Sequence, residues 1–221
     1  MEFGLLIAAA AALGAAWLVL RATGERELFD GILTAAVVGL FAGRVAAMVL
    51  AGTNPLTHPV DLLIVRGGVD TVAASAAAVA FFAWLVRRDL WRSVDAAAPA
   101  IAAALAVWHA GCLSGGTCLG TPSSLPWSWS ASTGGVPRHP TELYAALGLA
   151  LATVVVLLLR DRVPSGATAA LTLLLVSAVR LATEPLRVTI DGGPWWWYAA
   201  GIALGGGGLA WPTTIVHTPH R

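Results

Sequence analysis

The segment Ala178-Val179-Arg180-Leu181-Ala182-Thr183-Glu184-Pro185-Leu186-Arg187 sets two arginines and a carboxylate at the end of an apolar run that starts at Ala167. Arg180 and Glu184 are four residues apart and Glu184 and Arg187 three, so on a helix each pair shares a face. Arg66 and Asp70 repeat the four-residue spacing. A charge near mid-bilayer costs about 2.5–3.5 kcal/mol on insertion scales, so such groups are expected against protein, water or a ligand. Arginine's planar fork suits bidentate contact with phosphate. Histidines beside such a cluster, here His109 and His139, suit proton transfer. The plainer reading of the same residues is mutual neutralisation of helix charges, with structural histidines.

The elements that must hold these groups are membrane helices. Hydrophobic residues make up 57% of the 221 and charged residues 11%, against a soluble norm of about a quarter charged. Seven apolar runs, at 3–20, 31–50, 62–86, 93–110, 141–159, 167–186 and 195–211, approach the roughly 20 residues a helix needs to cross the hydrocarbon core. The expected fold class is an all-α integral membrane protein, a single seven-helix domain over residues 1–221. The first run lacks the basic flank of a secretory signal and is read as a retained helix. All thirteen basic residues are arginine, and they sort by connection. Arg21, Arg26, Arg87, Arg88, Arg92, Arg160 and Arg162 fall on one side; the alternate connections hold Arg138 and, closing the sixth run, Arg187. By the positive-inside rule the amino terminus is expected outside and the carboxyl terminus in the cytoplasm. A formal charge of +1 offers no basic surface for nucleic acid.

One connection differs from the others. Residues 111–140 are rich in glycine and proline, and connections of that length are uncommon unless functional or disordered. Trp127 and Trp129 within it, and Trp195-Trp196-Trp197-Tyr198 at the start of the seventh run, fit an interfacial aromatic belt. The assigned topology puts Arg44, Arg66, Asp70, His109, Arg138, His139, Glu142, Tyr144, Arg180, Glu184 and Arg187 in one outer layer. Asp95 falls on the opposite side and reads as a cap or anchor. In the outer layer five arginines (44, 66, 138, 180, 187) face three carboxylates (70, 142, 184), an excess of two that points to a buried anion. A phospholipid headgroup is the natural anion there. Cys112 and Cys118 are open to three readings: an inert disulfide or pair, a redox pair, or soft-metal ligands with His109.

These segments resemble the prolipoprotein diacylglyceryl transferase family. Arg138-His139-Pro140-Thr141-Glu142-Leu143-Tyr144 is similar to the family's Arg-His-Pro-Ser-Gln-Leu-Tyr element, and Arg180-x3-Glu184-x2-Arg187 to its Arg-x3-Glu-x2-Arg helix end. Gly43-Arg44 and Gly67-Gly68 look like its glycine-arginine turn and Gly-Gly entry. The resemblance implies a transferase in the bacterial plasma membrane, its site facing outward, that moves diacylglyceryl from phosphatidylglycerol to the thiol of a lipobox cysteine or a related acceptor. No cofactor and no metal are expected. His109, His139, Arg180 and Glu184 would then serve catalysis, and Arg44, Arg66, Asp70, Arg138, Glu142, Tyr144 and Arg187 would bind substrate.

Three positions depart from the family pattern. Val72-Ala73-Ala74 stands in place of a His-Gly-Gly, and Trp108-His109-Ala110-Gly111-Cys112 in place of a Gly-Arg-x-Gly-Asn. The first run carries Trp17 but no tyrosine. Gly111-Cys112-x5-Cys118-x-Gly120 marks a divergent, cysteine-bearing branch. Two other classes stay open: a thiol-redox or metal-binding membrane enzyme using Cys112 and Cys118, and a non-catalytic anionic-lipid-binding protein. A transporter fits poorly, because the inner halves of the runs are rich in alanine, valine and leucine and offer no polar path.

Overall fold

The computed structural model describes residues 2–63, 68–112, 118–130, 132, 134–188 and 193–210. Among them run the helices α1 Glu2–Thr23, α2 Leu28–Leu50, α3 Val60–Leu63, α4 Thr71–Leu85, α5 Leu90–Cys112, α6 Thr141–Leu159, α7 Ala167–Thr183 and α8 Trp195–Ala210. Short 3-10 turns, Arg160–Arg162 and Glu184–Leu186, prolong α6 and α7. The described residues hold no strand, only isolated bridges in the connection before α6.

Four stretches, Leu28–Leu50, Leu90–Cys112, Thr141–Arg162 and Ala167–Leu186, are long and apolar enough to cross a membrane, and Ile7–Thr23 and Thr71–Leu85 are shorter apolar helices. Along α6 the large residues Leu147, Leu151, Val154 and Leu158 face outward, while Ala145, Ala146 and Ala152 are buried with Leu149 and Val156. Apolar side chains on the outside and small ones at the helix contacts are the pattern of a protein solvated by lipid. The chain is an all-helical, multi-pass membrane protein. It forms two compact units, one of Met1–Gly24 with Val94–Arg221 and the other of Glu25–Ser93.

In the larger unit glycines set the helix spacing. A Cβ at Gly148 of α6 would come within 2.8 Å of a Val179 methyl on α7, and one at Gly205 of α8 within 2.7 Å of the Ala170 carbonyl oxygen. Such close approach supplies the van der Waals packing on which membrane helices depend. Asp95 of α5 caps the start of α7. Its Oδ2 accepts from the Gly166 N–H at 2.5 Å and its Oδ1 from the Ala169 N–H at 2.7 Å, meeting amides that have no partner inside the helix. The anchor expected at Asp95 therefore serves a neighbouring helix rather than its own.

In the smaller unit α2 lies on α4, with Gly39 against Ala74 and Ala78 and Gly43 against Asp70 and Ala74. The single helix expected over 62–86 is not what forms. The short α3 is followed by non-helical residues 68–70, and α4 begins only at Thr71. Gly68 takes the left-handed conformation at φ 77, which breaks a helix at little cost for glycine. Asp70, extended at φ −71 and ψ 112, then caps α4 by accepting the Ala73 N–H at 2.7 Å. Asp70 thus precedes a helix instead of sharing a helical face with Arg66, which itself lies outside the described residues. The fourth run is longer than expected, since α5 extends through Cys112 and takes in the first residues of the 111–140 connection.

Candidate active site

In the larger unit, the segment after Cys118 is fastened between the start of α6 and the end of α7. The Gly120 N–H donates to the His139 carbonyl at 2.8 Å, the His139 N–H to the Thr121 carbonyl at 3.0 Å, and the Thr121 N–H to the Leu186 carbonyl at 2.8 Å. The Thr141 hydroxyl also donates to Leu186, at 3.2 Å. Gly120 is obligatory here, because a Cβ would collide with both Thr141 Oγ1 and the Leu186 carbonyl. Arg138 pairs its backbone with Trp129 in both directions, at 2.8 and 2.9 Å, and its Nη1 donates to the Gly120 carbonyl at 3.1 Å.

This lattice presents Glu142 in the first turn of α6 as the hub of a charge network. Glu142 is buried, and its Oε2 is hydrogen-bonded to Nδ1 of His109 from the last turn of α5. The same oxygen lies 3.8 Å from Arg180 Nη1, and Oε1 lies 3.3 Å from Arg187 Nε. Glu184 Oε2 accepts from Arg187 Nη1 at 3.1 Å and stands 4.0 Å from Arg180 Nη2. Arg180 also reaches Tyr198 of α8, with Nη2 at 3.4 Å from the hydroxyl and the guanidinium 5.6 Å from the ring centroid. Among the described residues, Arg180 Nη1 and Glu184 Oε1 are buried without a hydrogen-bond partner. Buried orphans of this kind call for an explanation, an absent ion or ligand among them.

The i, i+4 and i, i+3 pairs expected for Arg180, Glu184 and Arg187 both form, and Glu142 joins them across helices. The expected arithmetic narrows, however. Two arginines here face two carboxylates, so the nearby excess of positive charge rests on Arg138. His139 stands apart from this network. Its Nδ1 lies 3.5 Å from the Tyr144 hydroxyl, which accepts from Trp127 Nε1 at 2.9 Å. Trp127 therefore fixes a site tyrosine besides any interfacial role.

A cavity of about 240 Å³ opens beside the hub, lined by Trp108, His109, Cys112, Cys118, Glu142 and Arg187 among others. Cys112 and Cys118 are joined by a disulfide. Bonded to each other, their sulfurs are not the thiolates a soft metal requires, and the described residues hold no cluster of three or more metal-ligating side chains. Arg187 lines the cavity, whereas Arg180 is buried and not among its lining residues.

In the smaller unit, Arg44 and Asp70 have backbone partners. Arg44 donates from Nε and Nη2 to the Asp61 carbonyl at 3.0 and 2.9 Å and from Nη1 to the Gly68 carbonyl at 2.9 Å. These contacts brace the turn before α4, where sequence reasoning expects headgroup contacts. Sequence reasoning in turn misses Tyr198, whose hydroxyl alone distinguishes it from the tryptophans before it, and Gly120 and Thr141, whose roles depend on tertiary contacts.

The family model of prolipoprotein diacylglyceryl transferase matches residues 1–210. The chain belongs to this family. Relatives named phosphatidylglycerol–prolipoprotein diacylglyceryl transferase include one from Cupriavidus pinatubonensis, 32% identical over 177 residues, covering 76% of this chain and 64% of the relative. One from Cupriavidus necator is 33% identical over 168 residues, covering 72% and 62%. A third, from Solidesulfovibrio magneticus, is 30% identical over 192 residues, covering 79% and 72%. The chain thus spans less than two thirds of the length of the two Cupriavidus proteins.

Proposed function

We propose that this protein is a phospholipid-dependent transferase that moves diacylglyceryl from phosphatidylglycerol to the cysteine thiol of a lipoprotein precursor or a related acceptor. The observation that carries the reading is the Glu142-centred network of His109, Arg180 and Arg187 beside a cavity, in a member of this family. On this reading the site faces the outer side of a bacterial plasma membrane, with the amino terminus outside and seven helices acting as one domain.

Arg187 turns its Nε and Nη1 toward the two carboxylates, so its Nη2 donors are those a headgroup phosphate would meet. Arg180 Nη1, buried and unsatisfied among the described residues, lies 3.8 Å from Glu142, the carboxylate Arg187 also meets, and Arg138 adds positive charge at Gly120. Glu142 holds His109 by Nδ1, leaving Nε2 to accept the proton of the incoming thiol. This is the logic by which a carboxylate orients an imidazole base. The thiolate attacks the glyceryl carbon, the carbon–sulfur bond forms as the carbon–oxygen bond to phosphate breaks, and glycerol phosphate departs. Arginines preorganised around that phosphate stabilise the charge that grows on the leaving group. His139, paired with Tyr144, stands ready as the alternative proton carrier.

Radiolabelled phosphatidylglycerol and a lipobox peptide, added to protein reconstituted in vesicles, test the reading. Label should appear on the peptide sulfur as a thioether, with release of glycerol phosphate. Folded protein that binds the lipid but transfers nothing would leave only the non-catalytic lipid-binding reading.

A further inference from the structure

We propose that the Cys112–Cys118 disulfide is a reversible tether for the thiol-bearing acceptor, holding it in the cavity by thiol–disulfide exchange. Both cysteines line the cavity together with His109, and both are partly exposed. Cys112 follows His109 by three residues on α5, so sulfur and imidazole share a helix face. A mere staple is poorly motivated here. Just beyond Cys118, the backbone is already held by the bonds from Gly120 to His139 and from Thr121 to Leu186, at 2.8 Å each. Opening the disulfide therefore leaves Cys118 close to where it stands. The inference rests on the proposed function only in taking the acceptor to be a thiol.

The exchange needs no outside oxidant. His109 Nε2 takes the proton of the incoming thiol, and the resulting thiolate attacks Sγ of Cys118. The acceptor–Cys118 bond forms, the Cys112–Cys118 bond breaks, and Cys112 leaves as a thiolate that recovers the proton from the adjacent imidazolium. In the return step Cys112 gives that proton back to His109 and attacks Cys118. This restores the intramolecular disulfide and releases the acceptor as a thiolate inside the cavity, beside the arginines. No net oxidation occurs over the cycle. Tethering converts a bimolecular encounter into a local one, at effective concentrations of about a millimolar or more.

Purified full chain, free of phosphatidylglycerol, can be mixed with a cysteine-bearing lipobox peptide, quenched in acid, alkylated and weighed. The expected product carries the peptide on Cys118 and the alkyl group on Cys112, and forms about tenfold faster than in His109→Asn or Glu142→Gln. A disulfide that the peptide leaves closed in native protein but opens in heat-unfolded protein overturns the proposal. So does equal opening in wild type and in folded samples of both variants. A parallel transfer assay separates the two readings. Adduct without transfer supports the tether and counts against the transferase. Transfer by Cys112→Ser/Cys118→Ser with wild-type KM for the peptide rejects the tether and leaves the transferase standing.

Discussion

Two buried arginines on apolar helices, Arg44 and Arg180, have opposite surroundings. Arg44 in the smaller unit points its fork at the backbone carbonyls of Asp61, in α3, and Gly68, just before α4. Arg180 in the larger unit meets the carboxylates of Glu142 and Glu184 and the Tyr198 hydroxyl, and its Nη1 is unsatisfied among the described residues. An intramembrane arginine is thus not by itself a ligand site. Carbonyl partners on a turn mark a brace. Carboxylates from two helices hold the other fork in place.

The contrast can be broken by substitution. Arg180→Ala should lower kcat/KM for transfer by about a hundred- to a thousandfold, roughly 2.7–4 kcal/mol of transition-state stabilisation, while the folded fraction stays measurable by thermal unfolding in detergent. Arg44→Ala should show the reverse pattern. Losing its part-buried hydrogen bonds to Asp61 and Gly68 should cost about 1–2 kcal/mol of stability, with the acceptor and lipid KM of the surviving folded protein unchanged. Asp95→Ala removes the cap of α7 and should cost about 1 kcal/mol in the same unfolding assay. Tyr198→Phe sharpens the comparison further. It keeps the ring against Arg180 but loses the hydroxyl, and should lower transfer only a few-fold, under about 1 kcal/mol.

Much of this was legible because membrane helices and their charges follow short-range rules. The apolar runs mark the helices, and the spacing of Arg180, Glu184 and Arg187 marks a shared face that the structure retains. Asp95 is recognisable as a cap or anchor, although which helix it caps depends on packing. What escapes a sequence reading is long-range. Glu142 and His109 are 33 residues apart, and only the fold, which brings the last turn of α5 to the first turn of α6, makes them a pair. The break before α4 is hidden because Arg66, Gly67, Gly68 and Asp70 sit inside an apolar stretch, where two glycines and two charges do not forbid a helix. Two contacts of Arg44 were hidden for a related reason: the Asp61 and Gly68 carbonyl oxygens it meets are groups every residue has and no motif announces. The pairing of Cys112 with Cys118 stays open at the sequence level, since six-residue spacing across glycines permits a bond without requiring one.

Lipid binding shows whether Arg187 and Arg180 in the larger unit receive an anionic headgroup. Native mass spectrometry of the purified protein with equimolar phosphatidylglycerol and phosphatidylcholine would count the lipids retained by wild type, Arg187→Ala and Arg44→Ala. Wild type and folded Arg44→Ala should retain phosphatidylglycerol preferentially, and Arg187→Ala should lose that preference. Equal retention of the two lipids by wild type, or a preference that survives Arg187→Ala and disappears in folded Arg44→Ala, would contradict that expectation.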